Sequence, residues 1–418
     1  MKEKYDVIVC GGGFAGCAAA IRAAREGMNV LLIEKSGFLS GAAGNCNINP
    51  FMPFSTKIDG KSVNLSAGIF EEIIAELARL NGFRNKDGAI FSNELLKLVL
   101  DRMTVKSGAD VLFHTYIANV QKDKNEIKYI SCVNKSGMKK FYADIFIDAT
   151  GDADIAALAD CPFSLGRESD NLCQPMTLCF DIANVDIDGL FQKHGDMNKM
   201  YAEKQSKGEI KNPRGDVLCF RHMANGILHV NSTRIIKKSP VDAEDLTQSE
   251  QIAREQVFEL FSFLKENFDA CKDAVLLSSG PEIGIRESRK IEGKYILTVD
   301  DLKACTKFED GIAACNYDID IHDPAGGGTS HYYFKEGTYY TIPYRCLLPQ
   351  GTDNLLVAGR CISGTHEAQA SFRIMPVCCT LGEAAGTAAA IAKKDNCKVD
   401  EIDINKLRNT LKKNGAFI

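Results

Sequence analysis

Hydrophobic and polar positions follow two periods along this chain, and the switch between them marks its first unit. Residues 5–10 form a short apolar run, which leads into Gly11-Gly12-Gly13-Phe14-Ala15-Gly16. Small residues then fill 17–26, Gly27 closes that stretch, and a second apolar run over 29–33 ends on Glu34. Short apolar runs bounded by glycine predict buried strands, and the small-residue stretch between them predicts a helix lying close to them. Further on, Ile69, Ile73, Leu77 and Leu80 fall at helical spacing and predict a helix over 62–80. Leu95, Leu96, Val99, Leu100 and Met103 predict another, with Ser92 as its N-cap and Gly108 just past its end. Apolar runs at 111–115, 117–121, 127–133 and 139–141, with turn residues at 123–125 and at Ser136-Gly137, predict a small antiparallel meander. An apolar strand then ends on Asp148-Ala149-Thr150-Gly151-Asp152.

From about residue 158 to 344 the pattern changes. Strand-like pieces at 176–184 and 227–230 alternate with polar loops, and a long amphipathic helix is predicted over 242–268. This reads as a second domain inserted in the first. A buried strand at 354–359 ends on Gly359-Arg360, and a loop over 361–375 leads to Pro376, expected at N1 of a last helix reaching about Lys393. Gly382, Ala384, Ala385, Gly386, Ala388 and Ala389 line that helix, so it must lie very close to something. The expected organisation is an α/β fold: a Rossmann-like domain over 1–157 and 345–418, with a parallel sheet and a β-meander, and an inserted α+β cap over 158–344.

Strand, glycine turn, helix, strand and acid together form a dinucleotide-binding fingerprint. Gly11 permits the tight turn, Gly13 lets the backbone approach a pyrophosphate, and Gly16 lets the helix lie against the sheet. Phe14 and Ala15 begin the helix whose unpaired amides and dipole favour the phosphates. Glu34 is placed to accept hydrogen bonds from ribose hydroxyls. Residues 35–61 are rich in Gly, Asn, Ser and Pro, and their centre, Ser40-Gly41-Ala42-Ala43-Gly44-Asn45-Cys46, suggests backbone lying flat against a ligand. Ala149, Thr150 and Gly151 do the same at the carboxyl end of a strand, where doubly wound sheets bind nucleotides.

Composition excludes several classes. A net charge of −5 over 418 residues leaves no basic footprint for nucleic acid. No apolar run approaches the roughly 20 residues of a membrane span, so a cytoplasmic protein is expected. The 16 cysteines are scattered without a CxxC pair, which argues against zinc or iron–sulfur frameworks and for buried reduced thiols. Cys378-Cys379 is a neighbouring pair whose redox role is open.

The fingerprint, the Asp148 to Asp152 turn, Gly284-Ile285-Arg286-Glu287-Ser288-Arg289, Pro343-Tyr344-Arg345, Val357-Ala358-Gly359-Arg360 and Gly382-Glu383-Ala384-Ala385-Gly386-Thr387-Ala388-Ala389 occur in an order that resembles the FAD-dependent oxidoreductases distantly related to fumarate reductase and succinate dehydrogenase flavoproteins and to the flavoprotein subunit of heterodisulfide reductase. That resemblance spans nearly the whole chain. It implies a glutathione-reductase-like FAD domain with an inserted cap. It also implies an FAD site built from Gly11, Gly13, Phe14, Ala15, Gly16, Glu34, Lys35, Ala42, Gly44, Asn45, Cys46, Ile117, Ala118, Ala149, Thr150, Gly151, Gly359, Arg360, Ile374 and Met375. The segment 41–47 lacks the histidine that links flavin covalently in succinate dehydrogenase, so non-covalent FAD is expected. No second dinucleotide fingerprint for NADPH is present, which leaves a small-molecule substrate, oxygen or a carrier protein as the electron partner.

Flavin chemistry needs a hydride path and a proton donor or acceptor nearby. His366, beside Glu367 in the loop before the last helix, is the first candidate base or substrate contact, with a loop brace as the alternative. His331, in a stretch rich in Gly and Tyr, is the second. His322 more readily braces a turn. Arg373 is a candidate for stabilising charge on the flavin. Arg286, paired with Arg289 on one helical face, is a candidate for binding a carboxylate or for an ion pair with Glu287 or Glu282. The expected activity is hydride transfer between FAD and a small polar organic substrate. The alternative is an electron-transfer subunit working with an iron–sulfur partner, and a homo-oligomer is also open.

Overall fold

A computed structural model describes residues 2, 4–86 and 88–418. Its first strand, β1 (Lys4–Cys10), is buried along most of its length, and α1 (Phe14–Arg25) starts directly after the glycine turn. The chain returns as β2 (Val30–Ile33), and α2 (Ile69–Arg79) and α3 (Asn93–Ser107) cross the sheet before β3 (Asp110–Leu112). Ser92 caps α3 by accepting from the Leu95 amide, and Gly108 ends it in the left-handed region (φ +94°). A meander follows: β4 (Tyr116–Asp123), β5 (Glu126–Asn134) and β6 (Gly137–Asp148).

β6 belongs to two sheets. Its first half pairs antiparallel with β5, and its second half lies parallel between β1 and β13 (the strand Leu355–Val357). The parallel order is therefore β3-β2-β1-β6-β13. Two separate runs were expected here. They form one strand because Phe141 and Ala143 are buried with Tyr142 exposed between them, which carries the strand unbroken into Ile145 to Asp148, buried on both faces.

Three other local expectations need correction. The stretch 62–68 is not helical. Ser55–Ile58 and Lys61–Asn64 form a hairpin around Asp59-Gly60, both at positive φ (+50° and +76°). Asp-Gly between strand-forming residues is the signal for such a two-residue turn. The loop 361–375 contains a short helix, His366–Phe372, capped by Thr365. Pro376 stands at the second position of the last helix, not the first, because the helix begins at Met375.

The inserted part has its own core. Between β6 and β13 the chain forms β7 (Phe180–Ala183), β8 (Cys219–Arg221), β9 (Ile227–Val230) and β10 (Val275–Ser279), in the order β8-β9-β7-β10, all antiparallel. The helix Ala243–Asn267, capped by Asp242, lays Ala253, Val257, Leu260 and Leu264 on one face of this sheet against Phe180, Ile182, Leu228 and Val230. Phe220, Asp181 and His229 alternate with those residues and face the other way. The same stretch carries three two-stranded antiparallel pairs among the described residues; one of them joins β11 (Ile319–His322) to β12 (Thr329–Tyr332). Residues from Ile291 to Leu348 pack into the main core instead of the inserted one. The expected segment 158–344 is therefore shared between two cores.

The last helix, Met375–Asp395, is the one helix among the described residues long and apolar enough to cross a membrane by composition, and 89% of that window is buried within the protein. It lies parallel to α1. A Cβ on Gly382 would stand 1.9 Å from the carbonyl oxygen of Ala15, and one on Gly386 2.3 Å from that of Ala19. Arg22 and Glu383, both buried, join the two helices at 2.5 Å, and Glu383 also accepts from the Ile69 amide at 2.9 Å. The small residues thus remove the bulk that would hold the helices apart. Gly386→Val should destabilise the fold by about 1–3 kcal/mol in denaturant unfolding, from overpacking against backbone that has no room to yield. Gly195→Ala, in an exposed helix where an added Cβ meets nothing within 4 Å, should be neutral or stabilise by up to about 1 kcal/mol.

Candidate active site

Two adjoining cavities lie at the carboxyl edge of the parallel sheet. The first, about 270 Å³, is walled by the turn after β1, by Glu34 and Lys35, by Ser40 to Ala42, by Asn45 and Cys46, by Thr115 to Ile117, by Ala149 to Gly151 and by Ala358 to Arg360. The second, about 580 Å³, opens between the inserted sheet and the main domain. Ala42, Ile285, Arg360, Arg373 and Met375 line both and mark the junction.

The glycines of the first turn serve different ends. Gly11 has φ +101°, and a Cβ there would lie 2.4 Å from the Ala149 carbonyl. At Gly16 it would lie 1.7 Å from the Gly11 carbonyl. Both are demanded by the fold itself, and Gly16 does not reach the cavity. Gly13 is different. Its φ is −75°, and the nearest atom to an added Cβ is 3.7 Å away, so the fold does not require glycine there. What that missing side chain leaves clear is the cavity. Glu34 is buried beside it. Its carboxylate accepts from the Gly12 amide at 2.5 Å and from the Ser36 amide at 2.7 Å, which fixes both oxygens at the cavity floor.

Asp148 shapes the second turn. It accepts from the Thr150 amide (3.1 Å), the Thr150 hydroxyl (2.7 Å) and the Ala156 amide (3.0 Å). Burial pushes its pKa up to about 6 against those hydrogen bonds. Gly151 takes φ +83° under the Arg360 guanidinium, and Arg360 pairs with Asp152 at 2.5 Å. Cys46 and Cys378 also line the first cavity, and burial raises both thiols to about 12, so neither is a thiolate at neutral pH. Cys379 is buried off the cavity.

Of the expected cofactor residues, Gly11, Gly13, Phe14, Ala15, Glu34, Lys35, Ala42, Asn45, Cys46, Ile117, Ala149, Thr150, Gly151, Gly359, Arg360 and Met375 lie on the first cavity's wall, and Ile374 on the second. Gly44 does not; it faces Phe38 and Ser40, which a Cβ would meet at 2.6 and 2.3 Å. Ala118 is exposed and off the wall although Tyr116 and Ile117 line it; the pairing register of this strand shifts between Ile117 and Asn119, so regular alternation fails at Ala118. Thr115, Glu282 and Ile283 line the cavity without any local motif to announce them.

His366 lines neither cavity. It is buried, with Nδ1 2.8 Å from Glu287, whose other oxygen meets Lys290 at 2.7 Å. Burial works to raise the Glu287 pKa, but the His366 contact and the Lys290 charge outweigh it and hold it low. His366 is a brace, and the expectation of a catalytic base there is corrected. Arg289 also turns away, to Asp154 at 2.9 Å.

The second cavity collects the remaining candidates. Arg286 donates to the Pro175 carbonyl at 2.7 Å and to the Thr177 hydroxyl. Arg373 lies 3.5 Å from Asp320. Arg234 donates to Nδ1 of His322 at 2.8 Å; since guanidinium only donates, that nitrogen carries no proton and His322 is neutral. Burial, then the Arg286 charge, pushes the His322 pKa well down in agreement. Its Nε2 faces Asp320 at 3.3 Å. Burial works to raise the Asp320 pKa, but the His322 hydrogen bond and the nearby guanidinium charges keep it low. His331 stands on the exposed β12 with Nδ1 2.6 Å from Asp318, at the cavity's edge.

A family model described as FAD dependent oxidoreductase matches residues 6–411. The chain belongs to that family. Among curated proteins, it is 26% identical over 198 residues to digeranylgeranylglycerophospholipid reductase 2 of Methanothermobacter thermautotrophicus, a match covering 44% of this chain and 48% of that one. It is 48% identical over 48 residues to a putative bifunctional amine oxidase of Dictyostelium discoideum, which is 12% of this chain and 4% of that protein. These matches span about half or less of those relatives. Among solved structures, the flavin-dependent brominase Bmp2 shares the fold at TM-score 0.51 and 13% identity, with 98% of this chain and 83% of that one covered. The chain thus combines membership of the FAD-dependent oxidoreductase family with a Rossmann-type fold.

Glu287→Gln should cost about 3–5 kcal/mol in denaturant unfolding, because it leaves the Lys290 ammonium buried without its counter-charge. The wild-type contribution should be full above the ordinary glutamate range and lost as pH falls through the lowered folded pKa. A pH series of unfolding midpoints for the two proteins should converge in acid.

Proposed function

We propose that this oxidoreductase binds FAD non-covalently in the first cavity and exchanges a hydride with a small polar organic substrate in the second. The observation that carries this reading is the junction. The last helix begins there with no side-chain cap and no acid in its first turn, and Met375 and Arg373 line both cavities while Ile374 lines the second.

The residues present fit the cofactor. Gly13 opens space that the fold does not need, beside the amides that begin α1, for a pyrophosphate. Glu34 would hold the ribose, and Thr115 to Ile117 would border the adenine. Ala42, Asn45, Cys46, Arg360 and Met375 would flank the flavin. FAD bound there supplies a two-electron centre able to take up or release a hydride. The free amides of Met375–Asp395 would stabilise negative charge at the cofactor's near edge. The inserted sheet and its flanking residues wall one side of the second cavity with Leu218, Phe220 and Asn231. His331 is the titratable group nearest solvent on that wall, and Asp318 orients its ring for proton exchange. The enclosure of the second cavity by the inserted sheet favours a small-molecule reactant over direct electron transfer to a protein partner.

Purified protein should be yellow and release FAD on denaturation, with no flavin left attached to the chain. Gly13→Val should still fold, at the modest cost of a poorer helix N-cap, yet lose most of its FAD, because a Cβ there makes only an ordinary contact with the Gly41 Cα at 3.7 Å and fills the phosphate space. Flavin content equal to wild type in that variant would remove the pyrophosphate placement.

A further inference from the structure

Five guanidinium groups surround the second cavity, and their partners are unequal. Arg214 pairs with Asp216 at 2.7 Å and Arg360 with Asp152 at 2.5 Å. Arg234, behind the wall, spends its donors on the carbonyls of Gly326 and Gly328 and on His322. Arg286 and Arg373 are left under-used. Arg286 touches only neutral oxygens, those of Pro175, Thr177 and Asn231, and makes no ion pair among the described residues. Arg373 has one weak contact at 3.5 Å with Asp320, and its buried Nε has no partner. Both line the cavity.

An unpaired guanidinium in a desolvated chamber is costly unless a counter-ion joins it. The crowding is severe enough that burial and the charges of Arg373, Arg214 and Arg234 push the Arg286 pKa down to about 9. The rest of the wall is largely apolar: Ile48, Pro50, Met52, Leu218, Phe220 and Ile285. The five guanidiniums around the cavity meet three carboxylates, Asp216, Asp152 and Asp320, so positive charge is left over. A carboxylate supplies one negative charge and two planar oxygens, which matches a guanidinium fork.

We infer that the substrate is an organic carboxylate whose carboxyl group is gripped by Arg286 and Arg373 while its apolar body lies against Phe220, Leu218 and Met52. This rests on the flavoenzyme reading above and names its substrate class. It also assigns specificity to Arg373 and Arg286 together, not to the Arg286–Arg289 pair suggested by spacing.

The test is a binding titration of the purified flavin-loaded protein with isobutyrate, benzoate and glutarate, each against its own primary amide, and with inorganic phosphate. Flavin absorbance and thermal stability are recorded together. At least one carboxylate should perturb the flavin saturably and raise the melting temperature, while its amide does neither. Arg286→Gln should weaken that binding roughly thirtyfold or more with flavin content unchanged, and Arg373→Gln should weaken it to a similar degree. Arg286→Lys should recover part of it, because the charge returns without the fork. Amides binding as well as acids, phosphate binding where no carboxylate does, or wild-type carboxylate affinity in Arg286→Gln would each overturn the inference. Protein that never holds FAD would refute the cofactor reading alone, since carboxylate-specific stabilisation lost in Arg286→Gln would still uphold the clamp.

Discussion

Two helices from opposite ends of the chain touch backbone to backbone, and the site depends on that contact. Gly382 and Gly386 of the last helix face the carbonyls of Ala15 and Ala19 in α1, so the helices run parallel and in fixed register. Level with the start of α1 at Phe14 lies Leu381, whereas the last helix starts at Met375. The extra six residues carry its amino end about 9 Å further, at 1.5 Å per residue. One helix end thus meets the phosphate turn and the other meets the junction of the cavities. A ligand with a nucleotide at one end and a reactive ring at the other matches that offset. The buried Arg22–Glu383 pair adds register more than stability, since such pairs roughly balance attraction against desolvation.

The inserted sheet turns this cradle into a chamber. One face is buried under its own helix, and the other carries Phe220, Asp181 and His229 toward the main domain. Asp181 accepts from Asn47 at 2.7 Å and contacts His229 at 2.8 Å, which ties the cap to the loop that carries Asn45 and Cys46. The cap therefore sits against the wall of the cofactor cavity, and its polar links lie beside the chamber. The Lys35–Glu282 pair bridges the same seam at 2.7 Å but is half exposed and contributes little.

Charge then sorts the residues by task. Glu287 meets Lys290 on one oxygen and His366 on the other in the interior, and these contacts hold the segment after Gly284 to the helix His366–Phe372. Asp320 draws in His322, Arg373 and Tyr317 and stays ionised. What remains open toward the chamber is positive. A histidine beside an acid in sequence was a reasonable candidate base. It is disqualified by a distant glutamate that the fold places against its ring, out of reach of either cavity.

Local demands were readable from residue order alone. Gly11 must take a positive φ and Gly16 must lack a Cβ, the apolar runs must be buried strands, and Ser92 and Gly108 must bracket a helix, because each follows from backbone sterics or nearest-neighbour hydrogen bonding. The Asp59-Gly60 hairpin was equally legible and was masked by an accidental helical spacing downstream. Tertiary structure alone decided which side chains share a wall. Arg286 and Arg373 are 87 positions apart (373 − 286), and no periodicity links them. Their meeting, like the burial of His366 and the double use of β6, arises from long-range packing, and that packing is set by the shape and charge of surfaces that no short window of sequence contains.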